Sequence, residues 1–479
     1  MAHRSTTTEP MTGPHVAHPY MPNSVAATQD EMLASIGAGS IEELFAQIPA
    51  DHRLSRPLEL PPQLRSEVAL SRHVRQLLQR NESCERTLSF LGAGCWQHHV
   101  PAICDEIISR AEFLTPIWGT PSSDLGRYQA LFEFTSQLGE LLDLDFVGLP
   151  VYSYGCAAGH AIRMAARLTG RDQVLIARTA DPQRVEVIAN YCEPANMAGR
   201  IEMTTVGYEP TTGLIDLSSL SSAISDRTAA VYFESPSFLG VLESQAAEVA
   251  AIARAHGAET IIGVDPITLG VIAGPGALGA DLAVGTTQTL GVHMNCGGGA
   301  GGFIASRDEE RYARLYPTLN VSACATRDPA RIGYGMTLME QSSYGSRELG
   351  NDWTGTSVYL WAIAGAVYMA LLGPVGFREL GELNLARSHY AAGRLTDIPG
   401  VEVRFPNGFF KELVVNFDQT GKSVTEVHAG LRSHNIFGGL ALTGSFPELG
   451  ESALYAITEI HTQQDIDTLA DAIAQEVTR

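Results

Sequence analysis

The fold of this chain is decided by three short apolar runs: Ala229-Ala-Val-Tyr-Phe233, Thr260-Ile-Ile-Gly-Val264 and Asp281-Leu-Ala-Val284. Continuous apolar runs of this length predict strands that are buried on both faces. A helical pattern at 245–256 separates the first run from the second. The same alternation begins earlier, with predicted strands at 173–177 and near 201–206 and helices at 126–142, 156–169, 181–191 and 217–224. Strands that alternate with helices predict an α/β fold with a mostly parallel sheet.

A second pattern begins near residue 355, where a long apolar helix is predicted to end at Gly373-Pro374. Beyond it the sequence predicts helices at 376–396, 423–433 and 463–477, and strands at 401–405, 412–417 and near 453–458. A large parallel-sheet domain followed by a small C-terminal α+β domain is the architecture of fold-type I transferases that depend on pyridoxal phosphate (PLP). We therefore expect a large domain over 86–350 and a small domain over 351–479.

The N-terminal region precedes both domains. Residues 1–20 are rich in Thr, His and Pro and are predicted to be a disordered leader. Residues 21–85 are predicted to form an arm, with short helical turns at 28–47, an extended linker at 56–62 and a helix around 64–80. Such an arm often packs across a partner subunit.

Composition excludes several classes of function. The net charge of −21 argues against a nucleic-acid or anionic-membrane partner, since both attract basic patches. The seven cysteines form no CxxC pair, so neither a disulfide framework nor a metal site is expected. The most apolar stretch, 358–372, is short and interrupted by glycine, so no membrane span is predicted. We expect a cytoplasmic protein.

Several segments occur in the order found in one enzyme family. They are Met21-Pro-Asn-Ser24, Ser89-Phe-Leu-Gly-Ala-Gly94, His98-His-Val-Pro-Ala102, Ser235-Pro-Ser-Phe-Leu-Gly-Val241, Val264-Asp-Pro-Ile-Thr-Leu-Gly270 and Leu371-Leu-Gly-Pro374. From about residue 20 onwards the chain resembles the glycine decarboxylase P-protein of the glycine cleavage system. It is most similar to subunit 1, the alpha chain, of the split bacterial type.

The resemblance implies the oxidative decarboxylation of glycine by an α2β2 heterotetramer. PLP is the electron sink for the carbanion left when CO2 departs, and the aminomethyl group passes to the lipoyl arm of the H-protein. In this family the beta chain supplies the Schiff-base lysine, and the alpha chain has the same fold without it. The resemblance therefore implies that this chain completes the pocket and the docking surface.

The chain has only two lysines, Lys411 and Lys422, and neither lies in the segment where a PLP enzyme carries its lysine. Counting back from the glycine-rich run at 297–302 places Leu290 where the beta chain has that lysine. Leucine has no amine, so we expect no internal aldimine and no catalytic residue in this chain. A self-sufficient PLP enzyme would need one of the two lysines to reach the site from the small domain. The glycine-rich run is either a tight turn that feeds the next strand or a close approach to a partner or phosphate.

Eight residues are candidates to bind the cofactor or line the pocket: His98, His99, Trp118, Tyr152, Gly155, Cys156, Asp265 and Arg347. Asp265 follows a strand, and its carboxylate either pairs with a pyridinium nitrogen or caps the turn before Pro266. The small residues Gly155 and Cys156 would let backbone N–H groups face an anion. Arg347 is suited to a carboxylate or phosphate or to a structural ion pair. Trp118 is either a pocket wall or a packed interface residue.

Three segments depart from the family pattern: 114–126, 151–160 and 346–356. In the first, the tyrosines and glutamine of the family's pocket-lining run are absent, and in the last, Leu349 stands where the family has lysine. These departures favour a diverged relative that acts on another small amino acid in specialised metabolism. A non-catalytic scaffold or regulatory pseudoenzyme is the third alternative.

Overall fold

The structure is a computed structural model, and it describes residues 20, 25–54, 56, 58–114, 121–194, 199–297, 300–318, 320–337, 354, 357–406 and 408–479. The predicted leader thus lies outside the described residues except for Tyr20. The contacts divide the chain into two compact units, Met1–Asn81 and Glu82–Arg479.

The described residues of the first unit form two helices, α1 (Ala26–Ser35) and α2 (Glu67–Leu78), and two short 3-10 turns. Helix α2 begins where the Ser66 hydroxyl accepts a hydrogen bond from the backbone N–H of Ala69, a typical N-cap. None of the described residues of this unit is buried. The predicted helical arm is therefore present, but it has no core of its own.

The second unit is built on a seven-stranded sheet, whose strands follow the short strand β1 (Leu88–Ser89) in the chain. The sheet strands are β2 (Phe146–Val147), β3 (Gln173–Ala177), β4 (Glu202–Val206), β5 (Thr228–Glu234), β6 (Glu259–Val264), β7 (Leu282–Thr286) and β8 (Gly302–Ser306). Their order is β4-β3-β5-β6-β7-β8-β2. Strands β3 to β7 are parallel to one another, whereas β8 runs antiparallel to both of its neighbours, β7 and the edge strand β2. The prediction of a mostly parallel sheet is confirmed.

Helices cover both faces of this sheet. They are α3 (Ala102–Ile108), α4 (Pro121–Leu142), α5 (Tyr154–Thr169), α6 (Pro182–Cys192), α7 (Leu217–Ala223), α8 (Ala246–Ala255) and α9 (Glu310–Ala313). One core contains Phe134 and Phe303, and the core on the opposite face contains Ile162 and Tyr316. Burial on both faces explains why the strands are apolar along their whole length.

The C-terminal part begins with a long helix, α10 (Tyr359–Thr396), which is kinked at Gly373 with φ +57° ahead of Pro374. The predicted end of the apolar helix is thus a break between two helical halves. By length and composition alone α10 passes for a membrane span, yet 44% of its most apolar 18-residue window is buried inside the protein. One such helix is weak evidence for a membrane span, because a core helix of a globular protein passes the same test.

The remaining strands form smaller sheets. Strands β9 (Asn320–Ala325) and β10 (Ile332–Thr337) make an antiparallel hairpin. The C-terminal sheet has the order β11-β12-β15-β14, from β11 (Glu402–Arg404), β12 (Glu412–Asn416), β14 (Leu440–Ala441) and β15 (Ser452–Ala456). Strand β13 (Ile436–Phe437) pairs with β1, and helices α11 (Val424–Ser433) and α12 (Gln463–Thr478) pack beside the sheet. The predicted α+β arrangement is confirmed.

Candidate functional site

Asp265 lies at the carboxyl end of β6, where open parallel sheets bind their ligands. Its Oδ1 accepts a hydrogen bond of 3.2 Å from the backbone N–H of Ile267 and so caps the 3-10 turn Pro266–Gly270. Its Oδ2 lies 2.7 Å from Nζ of Lys411, and both side chains are buried. Asp265 therefore caps the turn, which is one of the two roles considered for it, and its second oxygen has a cationic partner within the same chain.

Lys411 reaches this place from the residue before β12. Its Nζ lies 2.8 Å from Nε2 of His98 and 3.7 Å from the centroid of the Trp96 ring. Lys411 therefore reaches the site from outside the segment in which a PLP enzyme carries its lysine. Its contact with His98 joins residues 313 positions apart, so local sequence patterns carried no signal for it.

His98 connects this lysine to a buried carboxylate. Its Nδ1 lies 2.6 Å from Oε2 of Glu459, and the backbone N–H of His99 donates to Oε1 of the same residue at 2.7 Å. Burial raises the pKa of Glu459, but the interactions with His98 and His99 outweigh it and leave the pKa below its usual range. His98 is thus part of the site, whereas His99 contributes its backbone and has an exposed side chain.

Glu412, the next residue after Lys411, holds the loop that carries Trp96. Its Oε1 accepts a hydrogen bond of 2.6 Å from the backbone N–H of Ala93. The carboxyl is almost fully buried, and this burial raises its pKa to about 7. The loop is held from the other side by Gln288, whose amide exchanges two hydrogen bonds with the Trp96 backbone.

A second buried charge cluster fills the neighbouring end of the sheet. The Arg184 guanidinium makes two parallel hydrogen bonds to Glu234, at 2.7 and 3.0 Å, and lies 3.3 Å from Asp181. It also stacks over the Tyr154 ring at 3.9 Å from the centroid, while the Tyr232 hydroxyl donates to Glu234 at 2.7 Å. A bidentate pair with this many partners has its charges compensated inside the protein.

The two clusters leave little space between them. They border a cavity of about 20 Å³, whose walls include Trp96, Arg184, Glu234, Asp265 and Lys411. That volume holds about one water molecule. A more open pocket of about 260 Å³ lies beside it, against the start of α5 and the turn before β8.

The other predicted site residues lie around this second pocket or apart from it. Gly155 lines the pocket, and a Cβ there would approach Val187 of α6 to 2.9 Å, so the glycine serves close helix packing. The N–H of Cys156 is bound by the capping hydroxyl of Ser153 at 3.2 Å, and the side chain is partly buried. Tyr152 is 48% exposed just before α5. Trp118 and Arg347 lie outside the described residues, as do residues 115–120 of the first departing segment and all of 346–356 except Thr354.

Leu290 is fully buried in the core beneath the large sheet. It follows β7, at the position that corresponds to the Schiff-base lysine of the beta chain. Its side chain lines neither of the two cavities described above. Residues 298 and 299 of the glycine-rich run lie outside the described residues, and Gly302 at its end is the first residue of β8. At Gly302 a Cβ would lie 2.2 Å from the Ser153 carbonyl oxygen, so this close backbone approach requires glycine.

Comparison with known proteins matches residues 18–473 to the family described as glycine cleavage system P-protein. The chain belongs to this family. A relative from Staphylothermus marinus, "Probable glycine dehydrogenase (decarboxylating) subunit 1", is 39% identical and covers 96% of this chain and 98% of its own length. The protein of the same name from Desulfitobacterium hafniense is 34% identical over 95% of this chain and 99% of its own.

Solved structures agree on the fold. A crystal structure of glycine decarboxylase (P-protein) of the glycine cleavage system, in inhibitor-bound form, superposes with a TM-score of 0.82 at 31% identity, covering 94% of this chain and 98% of that one. A sphingosine-1-phosphate lyase of Burkholderia pseudomallei, at 14% identity and a TM-score of 0.62, shares the fold alone. The P-protein family member therefore has the fold of type I PLP-dependent enzymes, as predicted.

The residues present do not fit PLP in this chain. Leu290 offers no amine, the Asp265 carboxylate is already paired with Lys411, and the cavity between the charge clusters holds about one water. Ligand pockets have volumes of roughly 300–1,000 Å³, and the more open pocket of about 260 Å³ beside this cavity is lined by neither Asp265 nor Leu290.

Proposed function

We propose that this chain is the alpha subunit of a two-chain glycine decarboxylase and that a second, lysine-bearing beta chain holds the cofactor. The family, and the subunit-1 names of its relatives, support this assignment. The observation that carries it is the filled site: a chain whose Asp265 is bound by its own Lys411 needs another chain to supply the PLP pocket.

In this proposal the working enzyme is an α2β2 heterotetramer in the cytoplasm. PLP, when bound by the beta chain, supplies the electron sink for decarboxylation of glycine, and lipoylated H-protein accepts the aminomethyl group. The exposed apolar side chains of the N-terminal unit support a subunit contact, since Leu60, Val68 and Leu78 are 73, 69 and 59% exposed.

This chain would act by positioning. Its loop of residues 92–99 is fixed from three directions, by Glu412, Gln288 and Glu459. A loop held by several hydrogen bonds keeps its surface groups in one arrangement and loses little entropy when a partner binds. The chain therefore provides a rigid contact surface for the beta chain and takes no part in proton or electron transfer.

The test is release of labelled CO2 from carboxyl-labelled glycine. This chain is co-purified with a lysine-bearing beta chain of the same family, and lipoylated H-protein and PLP are added. We expect release that needs both chains, with each chain alone as control. Release by the partner alone at the full rate would contradict the proposal.

The departures in the 114–126 and 346–356 segments favour one rival, a diverged subunit that acts on another small amino acid. It predicts an intact, PLP-loaded complex that releases no CO2 from glycine but releases it from another amino acid. A non-catalytic scaffold would bind its partner and leave the turnover unchanged when Arg347 is replaced.

A further inference from the structure

Lys411 lies beside the carboxylate that ends strand β6. Fold-type I enzymes often place a carboxylate at the end of this strand to pair with the protonated ring nitrogen of the cofactor. In this chain the carboxylate is Asp265, and a lysine ammonium lies 2.7 Å from it. We propose that Lys411 is an internal substitute for the ring cation of the cofactor, so that this site is electrically complete and closed without one. The inference extends the proposed function by naming what replaces the cofactor.

The charges of the site show why a substitute is needed. Asp265 is 4% exposed, and a buried carboxylate without a counter-charge is strongly destabilising. A site that lost its cofactor and kept this carboxylate would be destabilised. Lys411, itself 2% exposed, neutralises the carboxylate from within the chain.

The surroundings of Lys411 are built for a cation. The face of Trp96 lies 3.7 Å from Nζ, which is the geometry of a cation–π contact. Lysine has only donors, so Nε2 of His98, at 2.8 Å, must accept from it. That assigns the His98 proton to Nδ1, where it faces the Glu459 carboxylate at 2.6 Å. One carboxylate, one lone pair and one aromatic face thus converge on the ammonium.

Chemical rescue tests this arrangement on the purified full-length chain. Lys411→Ala removes three carbons and the ammonium, and n-propylammonium has the same atoms. We expect the variant to melt about 3 to 6 °C below the parent. We expect n-propylammonium chloride to recover this loss saturably, since a ligand that binds only the folded state stabilises it. Neutral n-propanol and sodium chloride at the same concentration should not recover the melting temperature.

The chain offers a matched control, because Lys422 is its only other lysine. Lys422→Ala should melt like the parent and show no amine-specific recovery. The double variant with Asp265→Asn should also lose the response to n-propylammonium. Recovery that is equal with n-propanol, or equal in Lys422→Ala, would overturn the proposal.

A second variant covers the case in which Lys411→Ala does not fold. Lys411→Met keeps an apolar stem against Trp96 and leaves Asp265 without a cation. It should melt below the parent, and adding Asp265→Asn should recover most of the loss. A Lys411→Met chain that melts like the parent would contradict a counter-charge role.

Labelling tests closure directly. PLP condenses with a free amine to an imine with loss of water, and borohydride then adds hydride to the imine carbon and leaves a stable pyridoxyl amine. After treatment of the parent chain, peptide mass mapping should find the label on Lys422 and none on Lys411. Stoichiometric label on Lys411 would overturn the proposal. Both measurements use this chain alone, so their outcome is independent of the CO2 assay.

Discussion

Replacing Arg184 by methionine should destabilise the protein far more than the same change at an exposed arginine. The guanidinium is 9% exposed and forms two hydrogen bonds to Glu234, which is 1% exposed. Removing one partner of such a pair leaves the other as an uncompensated buried charge, at a cost of about 3–5 kcal/mol. Arg227, which contacts Asp172 and Glu202 while 53% exposed, is the matched control. Its replacement should cost at most about 1 kcal/mol.

Urea unfolding of the two variants, followed by tryptophan fluorescence and by circular dichroism, measures the difference in the free energy of unfolding. Adding Glu234→Gln to Arg184→Met should return at least half of the loss, because the charge of Glu234 is then gone and only that of Asp181 remains without its partner. Equal losses at Arg184 and Arg227 would refute the reasoning. So would a double variant that is no more stable than Arg184→Met.

Three further changes test other parts of the site. Glu412→Gln should raise the melting temperature at pH 8 but not at pH 4.5. Burial raises the pKa of this carboxyl from 4.5 to about 7, so the parent protein loses stability as the pH rises through that interval and the carboxyl ionises, whereas glutamine stays neutral. Gly302→Ala should give no soluble folded protein on gel filtration, since its Cβ would meet the Ser153 carbonyl at 2.2 Å, whereas alanine at the open Gly335 should be tolerated. Leu290→Ala should lower the free energy of urea unfolding by about 2–5 kcal/mol through the cavity it creates.

The large sheet could be predicted almost to the residue. Strands β3, β5, β6 and β7 were expected from unbroken apolar runs, and burial on both faces is what such runs require. The two-residue strand β2 and the hairpin of β9 and β10 were not predicted. A strand of two residues is too short to show a period, and β9 is exposed at four of its six residues, so neither shows the apolar pattern that predicts a strand.

The site was predicted only in part. Asp265 could be found because it ends a strand, and strand ends are visible in the sequence. Trp96, Arg184, Glu234 and Lys411 were missed, since each is brought to the site by tertiary contacts rather than by a motif. The order of the strands in the large sheet, and the packing of β12 next to it, determine which distant charged residues are in contact. Local sequence periodicity predicts neither of these features.

The exposed apolar side chains of the N-terminal unit affect how abundant this protein is in the cell. Its described residues include no buried side chain, while Leu60, Val68 and Leu78 are each more than half exposed. Exposed leucines and valines on a coreless segment are what chaperones and proteases bind in unfinished proteins. A copy without its partner would be removed by these systems, so the supply of the second chain would set the abundance of this one.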